Sequence, residues 1–116
     1  MTPLQRFDVG PRMSEMAVHN GVAYLAGQVA GDATQDVGGQ TRQVLAAIDA
    51  LLARGGSDKS KILRAQIFLT DLADFAAMNA VWEAWVVPGH TPPRATVQAA
   101  LAKPQWKIEI VVTAAV

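Results

Sequence analysis

Lys107-Ile108-Glu109-Ile110-Val111-Val112-Thr113-Ala114 is the stretch on which the fold turns. β-Branched residues dominate it, and it reads as a strand. Side chains alternate between faces along a strand. Ile108, Ile110, Val112 and Ala114 therefore share one face, and Lys107, Glu109, Val111 and Thr113 share the other. The first set is apolar throughout and calls for a covering layer of helices. The second is mixed but not solvent-like, because Val111 lies in it. Glu109 stands where the run would otherwise be apolar. A second conspicuous charge, Arg94, opens an extended run straight after Pro92-Pro93.

Working outward, Arg94 to Ala100 reads as the preceding strand, with Ala95, Val97 and Ala99 on one face. Before it, Phe75, Met78, Val81, Trp82 and Trp85 recur at helical spacing and form a core-facing stripe. Asp71 or Asp74 can cap this helix, and Pro88-Gly89 ends it. Ile62 to Leu69 has the length and apolar content of a buried strand. Asp36 to Arg54 reads as a first helix, with Val44, Leu45, Ile48, Leu51 and Leu52 on its core face and Thr41, Arg42 and Gln43 toward its polar side. Gly55-Gly56 is its stop signal. Met13 to Ala17 and Val22 to Ala26 flank Asn20-Gly21, a type I′ hairpin signal. The order is β-β-α-β-α-β-β. Two helices on one face of a mixed α+β sheet is the simplest packing. The opposite, semi-apolar face then needs a protein partner, and an identical subunit is the simplest one.

Composition agrees. The chain has 116 residues, 51% apolar and 17% charged. That length suits one domain spanning 1–116, and a charged share below the usual ~25% favours a homo-oligomer. Ten basic and ten acidic residues give a formal net charge of +0, with no basic stripe to attract nucleic acid. Apolar runs are too short to span a membrane, and no signal peptide is legible at the N-terminus. The chain has no cysteine, which excludes disulfides, thiolate metal sites and a cysteine nucleophile and is compatible with the cytoplasm. His19 and His90 lie far apart without carboxylates at ligand spacing, so no metal site is expected. His19 reads as an exposed hairpin residue, and His90 as part of a solvated loop.

Arg94 and Glu109 admit two readings from the residues alone. They form an ion pair between strands or subunits, or they form a site for a small carboxylic acid. The second has a defined chemistry. The arginine fork fixes a planar carboxylate through two parallel hydrogen bonds. A carboxylate partly desolvated between Ile108 and Ile110 can exchange protons near neutral pH. Water addition to a neighbouring C=N carbon needs these two functions and no covalent nucleophile.

Several motifs together carry a resemblance. Gly10-Pro11, Leu25-Ala26-Gly27-Gln28, Gln40-Thr41-Arg42-Gln43, Phe68-Leu69-Thr70-Asp71-Leu72-Ala73-Asp74-Phe75 with Asn79, Pro93-Arg94 and Ile108-Glu109-Ile110 resemble, in order and spacing, the reactive intermediate deaminase family, also called RidA or YjgF. The resemblance covers nearly the whole chain. It implies a chorismate-mutase-like α+β fold and a homotrimer with the sheets in a central barrel and sites between subunits. It also implies hydrolysis of 2-imino and 2-enamino acids, such as 2-aminoacrylate, to a 2-keto acid and ammonia, without metal or organic cofactor.

By the same resemblance Arg94 grips the substrate carboxylate and Glu109 serves the catalytic water. The Gly27 backbone lines the pocket, and Thr96 stands where many members have a cysteine whose amide faces it. Gln28 and Asn79 read as architectural hydrogen bonders. The chain departs from the active archetype at three places. Ala26 and Ala95 replace hydroxyl residues, and Arg12 replaces a tyrosine and offers a second cation for a larger or dianionic substrate. A non-catalytic trimer that binds a small carboxylate is the rival expectation. Ribonuclease activity, also attached to this family, fits poorly with zero net charge and no histidine pair.

Overall fold

A computed structural model describes residues 3–116. The first two residues of the span 1–116 lie outside the described residues. In chain order the elements are β1 (Gln5–Phe7), β2 (Met16–His19), β3 (Val22–Leu25), α1 (Val37–Arg54), β4 (Ile62–Leu69), α2 (Phe75–Trp85), β5 (Arg94–Gln98) and β6 (Ile108–Ala115). Short 3-10 turns at Lys59–Lys61 and Leu72–Asp74 introduce β4 and α2. The strands form one sheet in the order β1-β2-β3-β6-β4-β5. β4 and β5 run parallel, and the other neighbours are antiparallel. The expected α+β order is present, with β1 added at its head. Three exposed or half-buried residues carry no readable period, which is why β1 is silent in the sequence.

The β2–β3 turn has Asn20 at φ 51° and Gly21 at φ 79°, both left-handed as a type I′ turn requires. The hairpin starts at Met16 rather than Met13. Gly10 donates to the Met13 carbonyl at 2.8 Å, and this tight turn takes residues 10–13 out of the ladder. His19 is half buried rather than exposed, and its Nδ1 has no hydrogen-bond partner among the described residues.

Asp36 caps α1 by accepting from the Gly39 amide at 2.9 Å, satisfying one of the free amides of a helix start. One expectation within α1 fails. Thr41 is fully buried, not on the polar side. Its hydroxyl donates to the Val37 carbonyl at 2.6 Å, so burial leaves no unmet polar group. Gln40 beside it is also fully buried.

In α2, Met78 and Trp82 are buried, Val81 and Trp85 pack at the edge, and Phe75 is 43% exposed. The stripe is therefore core over its middle turns and open at its first residue. Asp71 accepts from the Ala73 amide at 2.9 Å and caps the 3-10 turn, whereas Asp74 makes no side-chain cap.

The phase of β6 is as read. Ile108, Ile110, Val112 and Ala114 are buried beneath the helices with Ala65, Ile67 and Leu69 of β4 and Ala23 and Leu25 of β3. Each large aliphatic here adds about 1.5–3 kcal/mol by leaving water. The other face carries Glu109, Val111 and Thr113 with their ladder partners Phe68, Gln66 and Tyr24. Tyr24 is 53% and Val97 44% exposed. No helix among the described residues is long and apolar enough to cross a membrane.

Candidate functional site

Glu109 is set by the alternation of β6. Its neighbours Ile108 and Ile110 anchor the strand in the core, which turns the carboxylate to the open face opposite Phe68. Gly27 reaches that carboxylate from the end of β3. Gln28 fixes the approach through paired backbone bonds with Ile110, 2.9 and 3.1 Å long. Its side-chain amide donates to the Ala26 carbonyl at 3.0 Å, in keeping with the architectural role read for it. A Cβ at position 27 would lie 2.8 Å from Glu109 Cδ and 3.1 Å from Cγ. Glycine here permits close approach rather than an unusual dihedral.

A cavity of about 410 Å³ opens at this point, lined by Met13, Glu15, Gly27, Gln28, Val29, Trp106 and Glu109. A smaller one of about 210 Å³ reaches Glu109 from Phe68 and the Ala99–Ala102 loop. The Trp106 wall is held from the core. The Gln40 side chain donates to the carbonyls of Ala33, Gln35 and Gln105 at 3.2, 3.0 and 3.1 Å. Its oxygen accepts from the Lys107 amide at 2.9 Å. Both backbone neighbours of Trp106 are thus tied to one buried residue of α1.

Arg94 lies elsewhere. It is the first residue of the edge strand β5 and pairs with Ala65, so it faces the helices. Its guanidinium carbon sits 5.3 Å from the centre of the Trp82 ring and 5.8 Å from that of Phe75. Nη1 is 3.9 Å from the Met78 sulfur. Among the described residues no carboxylate lies within salt-bridge distance of it. The ion pair found is Arg54–Asp8, at 2.7 Å. Burial lowers the Arg94 pKa from its ordinary value, and the charge of Glu83 works in the opposite direction. The group remains charged at any physiological pH.

Arg94 and Glu109 therefore sit on opposite faces of one sheet. The interstrand ion pair is not formed within the protomer, and neither is a joint site. Thr96 shares the Arg94 face, paired with Ile67, and its hydroxyl is buried without a hydrogen-bond partner among the described residues. Arg12 is exposed on the turn before β2. Its neighbours Met13 and Glu15 line the Glu109 cavity, and Arg12 itself does not. Asn79 makes no side-chain hydrogen bond among the described residues, so the architectural bond read for it is not seen. Among those residues no group of three or more His, Cys, Asp or Glu is placed to hold a metal ion.

Glu15 and Trp106 are neighbours of the candidate site that motif reading misses, and Phe75 and Trp82 were read only as a core-facing stripe. Trp106 stands three residues before Glu109, and an aromatic residue at a strand entrance is the one available signal. For Glu15 none exists, because the turn that aims it is not periodic.

The comparisons with known proteins agree with one another. A family model described as Endoribonuclease L-PSP matches residues 5–116. A RutC family protein of Haemophilus ducreyi is 50% identical over 113 residues, covering 97% of both chains. The RutC family protein YoaB of Escherichia coli is 50% identical over 111 residues, covering 96% of each. The crystal structure of NMB1025, a YjgF family member from Neisseria meningitidis, superposes with a TM-score of 0.95 at 46% identity, over 97% of this chain and 94% of that one. The strand order, the close Gly27–Glu109 approach and these near-full-length matches lead to one assignment: the chain belongs to the RidA/YjgF family.

Proposed function

We propose that this protein hydrolyses reactive 2-imino and 2-enamino acids of the 2-aminoacrylate type to 2-keto acids and ammonia, in sites between the subunits of a homotrimer. The observation that carries the reading is the disposition of its two charges. Arg94 rests on uncharged partners on one side of the sheet, and Glu109 faces a cavity on the other. The open face around Glu109 carries exposed Tyr24 and Val97, a surface that a second copy would cover. An Arg94 from one subunit and a Glu109 from the next can then border one cleft.

In that cleft Arg94 holds the substrate carboxylate bidentately, placing the C=N carbon beside a water held by Glu109. An enamine first takes a proton on carbon to become the imine. The imine nitrogen carries a proton from solvent. Glu109 accepts one proton of the water as its oxygen bonds to the iminium carbon, and the C=N electron pair passes to nitrogen, giving a carbinolamine. Glu109 then gives that proton to the amine nitrogen, and the C–N bond breaks as the hydroxyl proton passes back through Glu109 to solvent. Ammonia leaves, and the 2-keto acid remains. Positioning removes several kcal/mol from such a barrier. The backbones of Gly27 and Thr96 line the pocket, and Arg12 offers a second cation for a dianionic substrate.

A second reading, a trimer that binds small carboxylates without turnover, is favoured by Ala26, where active archetypes carry a hydroxyl. The ribonuclease named in the family model's description would need a basic groove, and the formal net charge is +0. Imino acids generated in situ by an amino acid oxidase, in competition with a trapping amine, separate the first two readings. Faster keto-acid formation with wild type than with Arg94→Ala supports the deaminase. Indistinguishable rates across several amino acids reject it, and thermal stabilisation by keto acids without turnover then supports the binding protein.

A further inference from the structure

We propose that Phe75 and Trp82 are positioning residues for Arg94, a cradle of ring faces that holds the guanidinium in place of an acidic partner and leaves its hydrogen-bonding edge for a ligand carboxylate. The inference rests on the reading of Arg94 as a carboxylate anchor and deepens it. Anchoring arginines face a conflict. A carboxylate neighbour would orient the guanidinium, but it would also compete with the ligand. Ring faces orient a cation through their quadrupole without occupying its N–H groups. Here the guanidinium carbon lies over both rings, 5.3 Å from the centre of Trp82 and 5.8 Å from that of Phe75. The Met78 sulfur, 3.9 Å from Nη1, is a weak acceptor.

The cradle also explains the placement of the two rings. Trp82 is only 6% exposed and belongs to the core, whereas Phe75 is 43% exposed at the first turn of α2. Such an apolar ring at the surface gains little by packing. Its position against Arg94 gives it a use. Phe75 is accordingly the residue to test, because removing it leaves the core intact.

Two measurements on the full chain decide the matter. In nuclear magnetic resonance spectra, the Arg94 side-chain signals of wild type are expected upfield, from the ring currents of both aromatics. Phe75→Leu should move them toward ordinary arginine positions, and Phe75→Tyr should not. Pyruvate, a simple 2-keto acid, is then titrated. Phe75→Leu should weaken its binding roughly tenfold, with no further loss when Arg94 is already alanine. Ordinary Arg94 shifts in wild type overturn the cradle. So does an equal loss from Phe75→Leu in both backgrounds, which would mark a structural role. Shifted Arg94 signals that relax in Phe75→Leu, without pyruvate binding to wild type, would leave the ring cradle standing and overturn the reading of Arg94 as a carboxylate anchor.

Discussion

Gly27 and Glu109 are in contact through the one place where a side chain is missing: a methyl group on Gly27 would lie 2.8 Å from the carboxyl carbon of Glu109. The two residues are 82 positions apart in sequence and are brought together by the backbone bonds between Gln28 and Ile110.

Gly27→Ala should therefore push the glutamate out of its cavity. The atoms such a methyl group meets are the far end of a flexible side chain. The carboxylate therefore swings aside at little cost in stability, and we expect a fall of at least about tenfold in the proposed deaminase rate. The effect comes from the contact, since Gly27 does not have a positive φ. A Gly27→Ala variant with wild-type turnover would refute the contact's importance.

Gln40 offers a test at longer range. It is fully buried, donates to three carbonyls and accepts one amide. Gln40→Leu leaves those groups unpaired, and the expected loss in denaturant titration is about 2–4 kcal/mol. Trp106 loses both of its backbone ties at the same time. Its fluorescence in Gln40→Leu should shift to longer wavelength well below the unfolding midpoint.

Arg94→Lys keeps the charge and removes the fork. Lysine is a compact point charge that cannot make two parallel bonds to a carboxylate. The expected result is a rise in KM of at least about tenfold with folding unchanged. A lysine variant with wild-type kcat/KM would mean that bulk charge alone suffices.

Acid sensitivity follows from three exposed aspartates whose pKa values lie below the ordinary 3.8 in the fold. The Arg54 hydrogen bond lowers Asp8, and bonds from Thr34 and Ser60 lower Asp32 and Asp58. Depressed carboxylates stabilise the fold above their unfolded pKa. That contribution is lost as pH falls through the folded value. The melting temperature should thus decline between about pH 5 and pH 3. Replacing all three with asparagine should lower it at neutral pH and flatten the decline.

Val111 tests the assembly. It lies near the middle of the open face, paired with Gln66 and flanked by Glu109 and Thr113. On the proposed trimer, Val111→Glu places a second charge in the boundary between subunits, and light scattering should show monomers in place of trimers. The proposed catalysis should vanish with that assembly, since the proposal has Arg94 and Glu109 meet only across the boundary. A trimeric, active Val111→Glu protein would place the interface elsewhere.

The sequence was most legible where one period ran long enough. β6 alternates without interruption, so its phase correctly sent Ile108, Ile110 and Val112 inward and Glu109 outward. The bounds of α1 followed from Asp36 and Gly55-Gly56. Short and aperiodic pieces were not readable. β1 is three residues long, and Met13 to Glu15 looked like strand only because they lead straight into the hairpin. Thr41 was misplaced because polarity was taken for exposure, when a hydroxyl can be satisfied inside its own helix. The candidate site was legible in part. Motif reading singled out Arg94, Gly27 and Glu109, and the fold brings the last two together, but β5 runs beside β4 in a register that the sequence does not encode. That register, pairing Arg94 with Ala65, is what sets the two charges on opposite faces.

The strand order carries a consequence for biogenesis. β6 is synthesised after the other five strands, yet it lies between β3 and β4. Until it emerges from the ribosome, a nascent chain holds β1-β2-β3 and β4-β5 as separate pieces, each with an unpaired edge beside apolar side chains. Such edges recruit other strands, and closure across so long a sequence separation is slow. The interval between synthesis of β4 and arrival of β6 is thus when the strand order leaves this chain most open to aggregation. A mutation that weakens β6 should lower soluble yield before it measurably lowers the stability of the finished protein.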